Sequence, residues 1–290
     1  MTTKETAMVD MIDFRGTKVW FHKMGTGRPL LFLHNGGNSH AIWNRQLSHF
    51  ANAYECFAFD LPGYGKSTNP STRFTLRSYV DFLQEFMRRM EMERVILIGN
   101  CVGSAIALAH AMEKPESVER LVLFNVLTKS TIREGLLGPL FKLTAPVPFV
   151  RPLLRSACGG FRAPRFIAKY SVAMQYGKKN ACDPRLDAQL CALYNQKGQV
   201  GALTDILVDI DAFDKFDRFR IPDEFPPVYV MWGQYNNVLP CQSGRRLVDT
   251  LRPKRFEVIE GAGHLAMYEA AEEVNARIED FFSKTLMHPE

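Results

Sequence analysis

The sequence predicts an α/β protein with a mostly parallel central sheet flanked by helices and an inserted helical cap. Short apolar runs such as "RVILIG" alternate with segments whose apolar residues recur at helical spacing, such as "RSYVDFLQEFMRRM", a rhythm typical of parallel sheets covered by helices. A glycine-rich turn, "GNCVGS", joins one of these runs to a helical segment. The rhythm breaks after Asn125 and resumes at "PPVYVMWG", which indicates an insertion.

The first elements are four strands. "MVDMIDF" and "TKVWFHKM" alternate apolar and polar residues, which predicts two strands joined by a turn at Arg15 and Gly16. "PLLFLH" and "YECFAFD" are continuous apolar runs, and strands buried on both faces have this pattern. Each of these runs ends in a turn-rich segment, "NGGN" and "LPGYGKS" respectively.

The remaining elements divide the chain into a core and a cap. The helix "RSYVDFLQEFMRRM" is followed by the strand "RVILIG", a helix within "VGSAIALAHAM" and the strand "ERLVLFN". Residues 127–214 are rich in proline, basic and aromatic residues and predict several short helices, before "PPVYVMWG", "RFEVIEGAGH" and the closing helix "AAEEVNARIEDFF". We therefore predict a core formed by residues 1–126 and 215–290 with a basic helical cap at 127–214.

Composition limits the class of protein. A chain of 290 residues that is 46% hydrophobic can bury a sizeable core. Its first eight residues are polar and no apolar run reaches the roughly 20 residues that cross a bilayer, so we expect a cytoplasmic protein. The cysteines lack CxxC spacing, and we expect neither a disulfide framework nor a metal site, and no organic cofactor. The six cysteines are Cys56, Cys101, Cys158, Cys182, Cys191 and Cys241.

Charge is distributed unevenly along the chain. The whole chain carries a net charge of +5, yet residues 126–200 contain 12 Lys or Arg against 3 Asp or Glu, a net charge of +9. Such a surface attracts phosphates or acidic proteins, or else it is simply solvated. No nucleic-acid-binding motif accompanies the charge, so we expect no nucleic-acid partner. Contact with an anionic membrane surface is compatible with the apolar stretches of this segment but is not predicted from them.

Four short motifs occur in order along the predicted core. They are "HNGGNSHAIW" after the third strand, "DLPGYGKS" after the fourth, "GNCVGS" after the fifth and "GAGH" before the last helix. With these motifs the chain resembles the capped α/β-hydrolase fold proteins, which include epoxide hydrolases, haloalkane dehalogenases, esterases and lactonases. The resemblance covers about residues 10–126 and 215–284 and implies an α/β-hydrolase fold with a nucleophile at the fifth strand.

The resemblance places Cys101 at the nucleophile position, where relatives usually carry Ser or Asp. The nucleophile sits on a tight strand-to-helix turn, and Gly99 and Gly103 let the backbone segments approach closely. At the N-terminal end of a helix, the helix dipole favours a thiolate. We therefore expect Cys101 to be a reactive nucleophile, and the alternative is an inactive site that has lost its serine.

The resemblance also assigns a histidine and exposes a missing acid. His264 in "GAGH" occupies the position of the general base. The loop after "VYVMWG" should hold the acid, but the corresponding residue is Asn236, and the other position used in the family, at the end of "LVLFN", is Asn125. A thiol is more acidic than an alcohol, so a neutral amide can suffice to orient the histidine, as in the Cys/His/Asn arrangement of papain-like peptidases. We predict Cys101, His264 and Asn236 as the catalytic set.

The oxyanion hole is expected to combine two backbone N–H groups. One belongs to Val102, directly after the nucleophile, and the other to the loop "HNGGN", where the family's usual donor corresponds to Gly36. Asn35 replaces a glycine that is usual in this loop, and His34 is expected to order the loop rather than transfer protons. Trp43 is expected to line the substrate pocket or to pack in the core.

These residues predict a Cys-dependent acyl-processing enzyme, a thioesterase or acyltransferase that forms an acyl-Cys intermediate. A thiolate exchanges readily with thioesters, and polyhydroxyalkanoate synthases resemble this arrangement in carrying an elbow cysteine on an α/β-hydrolase core. Coenzyme A or an acidic acyl carrier protein would present the acyl group to the basic cap. The alternatives are an esterase or lactone hydrolase, and a non-catalytic protein that binds a small hydrophobic ligand.

Overall fold

The computed structural model describes residues 8–68, 73–144, 150–178 and 183–285, and these residues contain one eight-stranded sheet. The strands are β1 (Met8–Phe14), β2 (Thr17–Met24), β3 (Arg28–Leu33), β4 (Tyr54–Phe59), β5 (Val95–Asn100), β6 (Val118–Phe124), β7 (Val228–Gly233) and β8 (Arg255–Ile259). Their order across the sheet is β1-β2-β4-β3-β5-β6-β7-β8. β2 pairs antiparallel with both β1 and β4, and all other pairs are parallel.

Helices cover both faces of the sheet. Among the described residues the α-helices are α1 (Asn44–Phe50), α2 (Leu76–Arg89), α3 (Val102–Glu113), α4 (Lys129–Glu134), α5 (Gly138–Thr144), α6 (Val150–Cys158), α7 (Arg165–Ala173), α8 (Pro184–Tyr194), α9 (Gln199–Val208), α10 (Cys241–Leu251), α11 (Ala266–Glu269) and α12 (Ala271–Lys284). Every residue of β5 and β7 is buried, as expected for strands between two helical layers. The predicted α/β fold class is confirmed.

Local sequence explains the two helices nearest the fifth strand. Thr75 caps α2 by accepting from the Ser78 backbone N–H, and the Ser78 side chain reciprocally accepts from the Thr75 backbone N–H; such a box supplies partners for N–H groups that a helix start leaves free. α3 is apolar on all sides, and residues 102–111 are all buried, so this helix lies in the interior. The close approach of α3 to β3 requires glycine at Gly103, where a Cβ would lie 2.1 Å from the Leu33 carbonyl oxygen.

In the described part of the chain, the α-helices α4 to α9 lie between β6 and β7, where the sequence predicts an insertion of short helices. The division of the chain at residues 126/127 and 214/215 stays a prediction. α1, α10 and α11 have no counterpart among the predicted elements. α10 packs closely against β7, because a Cβ at its Gly244 would lie 2.4 Å from the Trp232 ring. Within the described ranges, no helix is long and apolar enough to cross a membrane.

The parallel strands bring the predicted site residues to one edge of the sheet. Cys101 directly follows β5, Asn125 follows β6, and Asn236 lies in the loop after β7. His264 lies in the loop after β8. Because parallel strands end at the same edge, loops that are far apart in the sequence meet there.

Candidate active site

The nucleophile position is a strained turn. Cys101 has φ +54° and ψ −110°, a conformation that costs energy for a residue with a side chain and that is concentrated at functional sites. The backbone N–H of Cys101 donates to the Phe124 carbonyl at 2.9 Å. A Cβ at Gly99 would lie 2.4 Å from the Gly103 carbonyl carbon. The turn therefore depends on both glycines, as the sequence predicts.

Five of the predicted site residues face one cavity of about 160 Å³: Asn35, Gly36, Cys101, Val102 and His264. The described residues that line it are mostly apolar, and none of them is Asp, Glu, Lys or Arg. No group of three His, Cys, Asp or Glu residues in the described part of the chain could hold a metal ion. A larger cleft of about 830 Å³ lies between α7 and α8, but it contains none of the predicted site residues.

The cap supplies the opposite wall of this cavity. Leu136 follows α4, Ser171 and Gln175 come from α7 and the turn after it, and Leu203 and Ile206 come from α9. A Cβ on Gly36 would lie 3.0 Å from the Leu203 side chain and 3.1 Å from that of Ile206. Helix α9, within the predicted cap, therefore packs directly against the loop that is predicted to form the oxyanion hole.

His264 is held in one orientation. Its Nδ1 lies 3.1 Å from Asn236 Oδ1, and that oxygen also accepts from the backbone N–H groups of Val238 and Leu239 at 3.0 and 2.9 Å. These two donors fix the Asn236 oxygen toward the ring, so Nδ1 carries the proton and Nε2 is the bare nitrogen. The buried Nε2 has no hydrogen-bond partner among the described residues. Burial lowers the pKa of His264 to about 3, which keeps the ring neutral.

The Cys101 side chain is a thiol at rest. Burial raises its pKa from 9.0 to about 12, and a hydrogen bond from the Val102 backbone opposes this by a smaller amount. This burial argues against the resting thiolate that the helix N-terminus favours. The helix end does not compensate for the loss of water around the side chain of Cys101, a residue that is 9% exposed. The buried His264 ring is neutral and supplies no positive charge to stabilise a thiolate.

The oxyanion loop is ordered by His34. Its Nδ1 donates to the Asn35 carbonyl at 2.7 Å, and its Nε2 accepts from the Leu61 backbone N–H at 2.9 Å. Burial lowers the pKa of His34 to about 4. The ring uses both nitrogens in backbone contacts, so it orders the loop as predicted and is not placed to transfer protons.

Trp43 is a core residue. The side chain is fully buried, and its ring centroid lies 5.4 Å from that of Phe32 and 5.9 Å from that of Phe124. It does not appear among the described residues that line the cavity. Its assignment as a substrate-lining residue is corrected for a physical reason: the short helix His40–Trp43 presents this ring to the sheet.

Two residues of the site escape the sequence-based assignment. Asn125 is considered only as a missing acid, but its amide contacts Asn236. Gln175, in the cap, accepts from the side-chain amides of Asn35 and Asn38 at 3.1 and 2.8 Å. The backbone carbonyl of Gln175 also accepts from the backbone N–H of His264 at 2.7 Å. No motif surrounds Gln175, and only the packed cap identifies it.

A family model described as the alpha/beta hydrolase fold matches residues 28–271. The chain belongs to the α/β-hydrolase fold family, which confirms the resemblance. It is 26% identical over 286 residues to epoxide hydrolase 3 of Xenopus tropicalis, covering 95% of this chain and 78% of that one. It is 24% identical over 294 residues to a 2-hydroxy-6-oxo-2,4-heptadienoate hydrolase of Pseudomonas putida, covering 98% and 99% of the two chains.

Solved structures show the same fold. A thermophilic esterase from Thermogutta terrifontis superposes with a TM-score of 0.74 at 20% identity, covering 97% of this chain and 100% of that one. The epoxide hydrolase CorEH superposes with a TM-score of 0.77 at 17% identity, again covering 97% and 100%. At these identities the likeness concerns the fold, and the chemistry must be argued from the site itself.

Proposed function

We propose that the protein is a hydrolase that acts on a neutral, apolar carboxylic ester through an acyl-Cys101 intermediate. The observation that carries this proposal is the shared cavity: the strained elbow Cys101 and the neutral His264 both line it, its described lining residues carry no charge, and His264 Nε2 has no hydrogen-bond partner among the described residues. The similar proteins are named as hydrolases, so the esterase alternative fits them better than thioester transfer does.

Acylation begins from a neutral pair. The Cys101 thiol gives its proton to His264 Nε2 while Sγ bonds to the substrate carbonyl carbon, and the carbonyl oxygen becomes an oxyanion. The Val102 N–H and an N–H near Gly36 would stabilise that oxyanion. Asn236 Oδ1 accepts from Nδ1 and stabilises the imidazolium that forms. The imidazolium then protonates the departing alcohol oxygen as the C–O bond breaks, which leaves a thioester on Cys101.

Deacylation uses the same groups. His264 Nε2 takes a proton from a water molecule, whose oxygen attacks the thioester carbonyl. The tetrahedral intermediate collapses, the C–S bond breaks, and the imidazolium returns its proton to the Cys101 sulfur. A thioester can be hydrolysed in this way, whereas attack of Cys101 on an epoxide would form a thioether that water does not cleave. The cysteine therefore favours carbonyl substrates over the epoxides named for some relatives.

The cavity favours substrates without charge near the reacting carbon. Since its described lining residues include no Lys or Arg, a carboxylate on the acyl group would be buried without a partner, which is costly. The basic cap is partly neutralised within the chain: Arg155 forms a buried ion pair with Asp205, and Lys129 lies 2.7 Å from Asp211. Presentation of the acyl group by coenzyme A or an acidic carrier protein is the second proposal, favoured by the remaining positive charge.

The test is turnover and covalent labelling with p-nitrophenyl esters of increasing acyl length and with the matching acyl-coenzyme A thioesters. We expect release of nitrophenol and an acyl mass on Cys101 that is lost in Cys101→Ala and kept in the control variant Cys241→Ala. Faster turnover of the coenzyme A thioesters would favour the second proposal. Binding of the esters without turnover or an adduct would contradict hydrolysis and indicate a ligand-binding protein.

A further inference from the structure

Three buried asparagines are linked by hydrogen bonds to His264 and to one another. Asn100 ends β5, Asn125 follows β6 and Asn236 follows β7, and their exposed fractions are 0%, 0% and 4%. Asn125 has φ +47°, a conformation that Asn tolerates better than most residues with a side chain. In the family resemblance, the positions of Asn125 and Asn236 are those where a carboxylate would be found. Here both are neutral amides.

The hydrogen bonds of these amides form a closed ring. His264 Nδ1 donates to Asn236 Oδ1 at 3.1 Å, and Asn236 Nδ2 donates to Asn125 Oδ1 at 2.9 Å. Asn125 Nδ2 donates to Asn100 Oδ1 at 2.8 Å, and Asn100 Nδ2 donates to the His264 carbonyl at 3.2 Å. The ring begins and ends on the same residue. Asn125 Nδ2 also lies 3.0 Å from the His264 carbonyl.

Backbone groups fix the direction of the ring. Asn236 Oδ1 accepts from two backbone N–H groups besides the histidine, and Asn125 Oδ1 accepts from the Gly233 N–H at 3.2 Å. Turning either amide over would place its NH₂ group against backbone donors. Asn236 and Asn125 are therefore each held in one orientation, and Asn125 Nδ2 in turn fixes the acceptor of Asn100. The orientation of Asn236 requires the histidine proton to be on Nδ1.

We propose that Asn125 and Asn100 are positioning residues of the active site: with Asn236 they form a ring of neutral amides that holds His264 in the Nδ1–H tautomer and leaves Nε2 free toward the cavity. The role rests on the proposed function, in which Nε2 accepts the Cys101 proton. The ring also explains why position 236 is not an acid. A carboxylate there would place an oxygen 2.9 Å from Asn125 Oδ1 with no hydrogen between them.

Asn125→Asp tests the ring. An aspartate keeps the oxygen that accepts from Asn236 and tolerates the positive φ, but its second oxygen faces two acceptors, Asn100 Oδ1 and the His264 carbonyl. When protonated, the acid donates there as the amide does; when ionised, it cannot. We expect kcat for ester hydrolysis to be about 10- to 100-fold below wild type at pH 8, by analogy with the loss of groups that orient metal-bound histidines. Activity should recover as the pH is lowered through the aspartate pKa.

The tautomer gives a readout that does not depend on catalysis. In protein labelled with ¹⁵N-histidine, the His264 ring signals, assigned by their loss in His264→Gln, should show a protonated Nδ1 and a bare Nε2. We expect Asn125→Asp at pH 8 to change this pattern. Asn100→Asp, which loses only the donation to the His264 carbonyl, should do so more weakly and serves as a second variant if Asn125→Asp does not fold.

The matched control is Gln46→Glu. Gln46 is a buried amide whose Nε2 likewise donates to one backbone carbonyl, of Met267, and one side-chain amide oxygen, of Asn275; it lies outside the cavity lining. Its variant should change stability but not the His264 tautomer or the shape of the pH–rate curve. An unchanged tautomer and an unchanged pH–rate curve in Asn125→Asp would overturn the ring. If Asn125→Asp changes the His264 tautomer but Cys101 of the wild-type protein is never acylated, the proposed function is contradicted. The role of the three asparagines in fixing the tautomer would then still hold.

Discussion

Alkylation of Cys101 by iodoacetamide tests the protonation state of the site. Only the thiolate reacts, and raising the pKa from 9.0 to about 12 lowers the thiolate fraction at neutral pH about 1000-fold. A more basic thiolate is also more nucleophilic, with a Brønsted slope near 0.4–0.5, which recovers about 20-fold. We therefore expect Cys101 to react about 50-fold more slowly than an unperturbed thiol, and more slowly still where its burial hinders the reagent.

The assay follows the mass of the Cys101 peptide with time from pH 6 to 9. Because a pKa of about 12 lies above this range, the logarithm of the rate should rise by one per pH unit throughout, without a plateau. Cys191 and Cys241, which are partly exposed, act as internal comparisons in the same sample. A rate for Cys101 that equals or exceeds theirs, or a plateau beginning below pH 8, would refute the conclusion that Cys101 is a thiol and His264 a neutral imidazole at rest. It would indicate a thiolate–imidazolium pair instead.

Two further predictions concern the scaffold. Gly103→Ala should unfold the elbow or abolish turnover, because the added Cβ would lie 2.1 Å from the Leu33 carbonyl oxygen. The control is Gly160→Ala, whose added Cβ would have nothing within 4 Å. This control should match wild type in urea denaturation and in activity. Arg155→Met should lower the free energy of unfolding by about 3–5 kcal/mol because Asp205 is left buried without its cation; urea denaturation measures this. Arg155→Met combined with Asp205→Asn should recover most of the loss, and no recovery in the double variant would contradict the pairing.

The landmarks of the site could be predicted because they depend on local backbone requirements. The elbow at Cys101 needs small residues on both sides, and the sequence has Gly99 and Gly103 two residues before and after it. His264 follows an apolar run and precedes a helix, which identifies its loop. The order of strands and helices likewise follows from the spacing of apolar residues, so the fold class required no contact information.

The protonation of the site could not be predicted in this way. A helix N-terminus favours a thiolate, and the sequence shows the helix but not the burial that outweighs it at Cys101. Trp43 is ambiguous for the same reason, since an aromatic residue after a glycine turn fits both a pocket and a core. Gln175 lies in the cap, where no motif marks it, and it reaches Asn35 only because the cap packs over the core.

By itself, the sequence determined the α/β-hydrolase fold, the nucleophile elbow and the histidine loop, because apolar spacing and short glycine-containing motifs mark each of them. The replacement of the acid by Asn236 was also predicted, but only the tertiary structure showed that Asn125 and Asn100 contact this amide and the histidine. Asn100, Asn125, Asn236 and His264 lie on separate strand ends, and their amides meet because parallel strands finish at one edge of the sheet. Side chains so far apart in the sequence can form hydrogen bonds only because the folded sheet brings them together. No local sequence pattern predicts that contact.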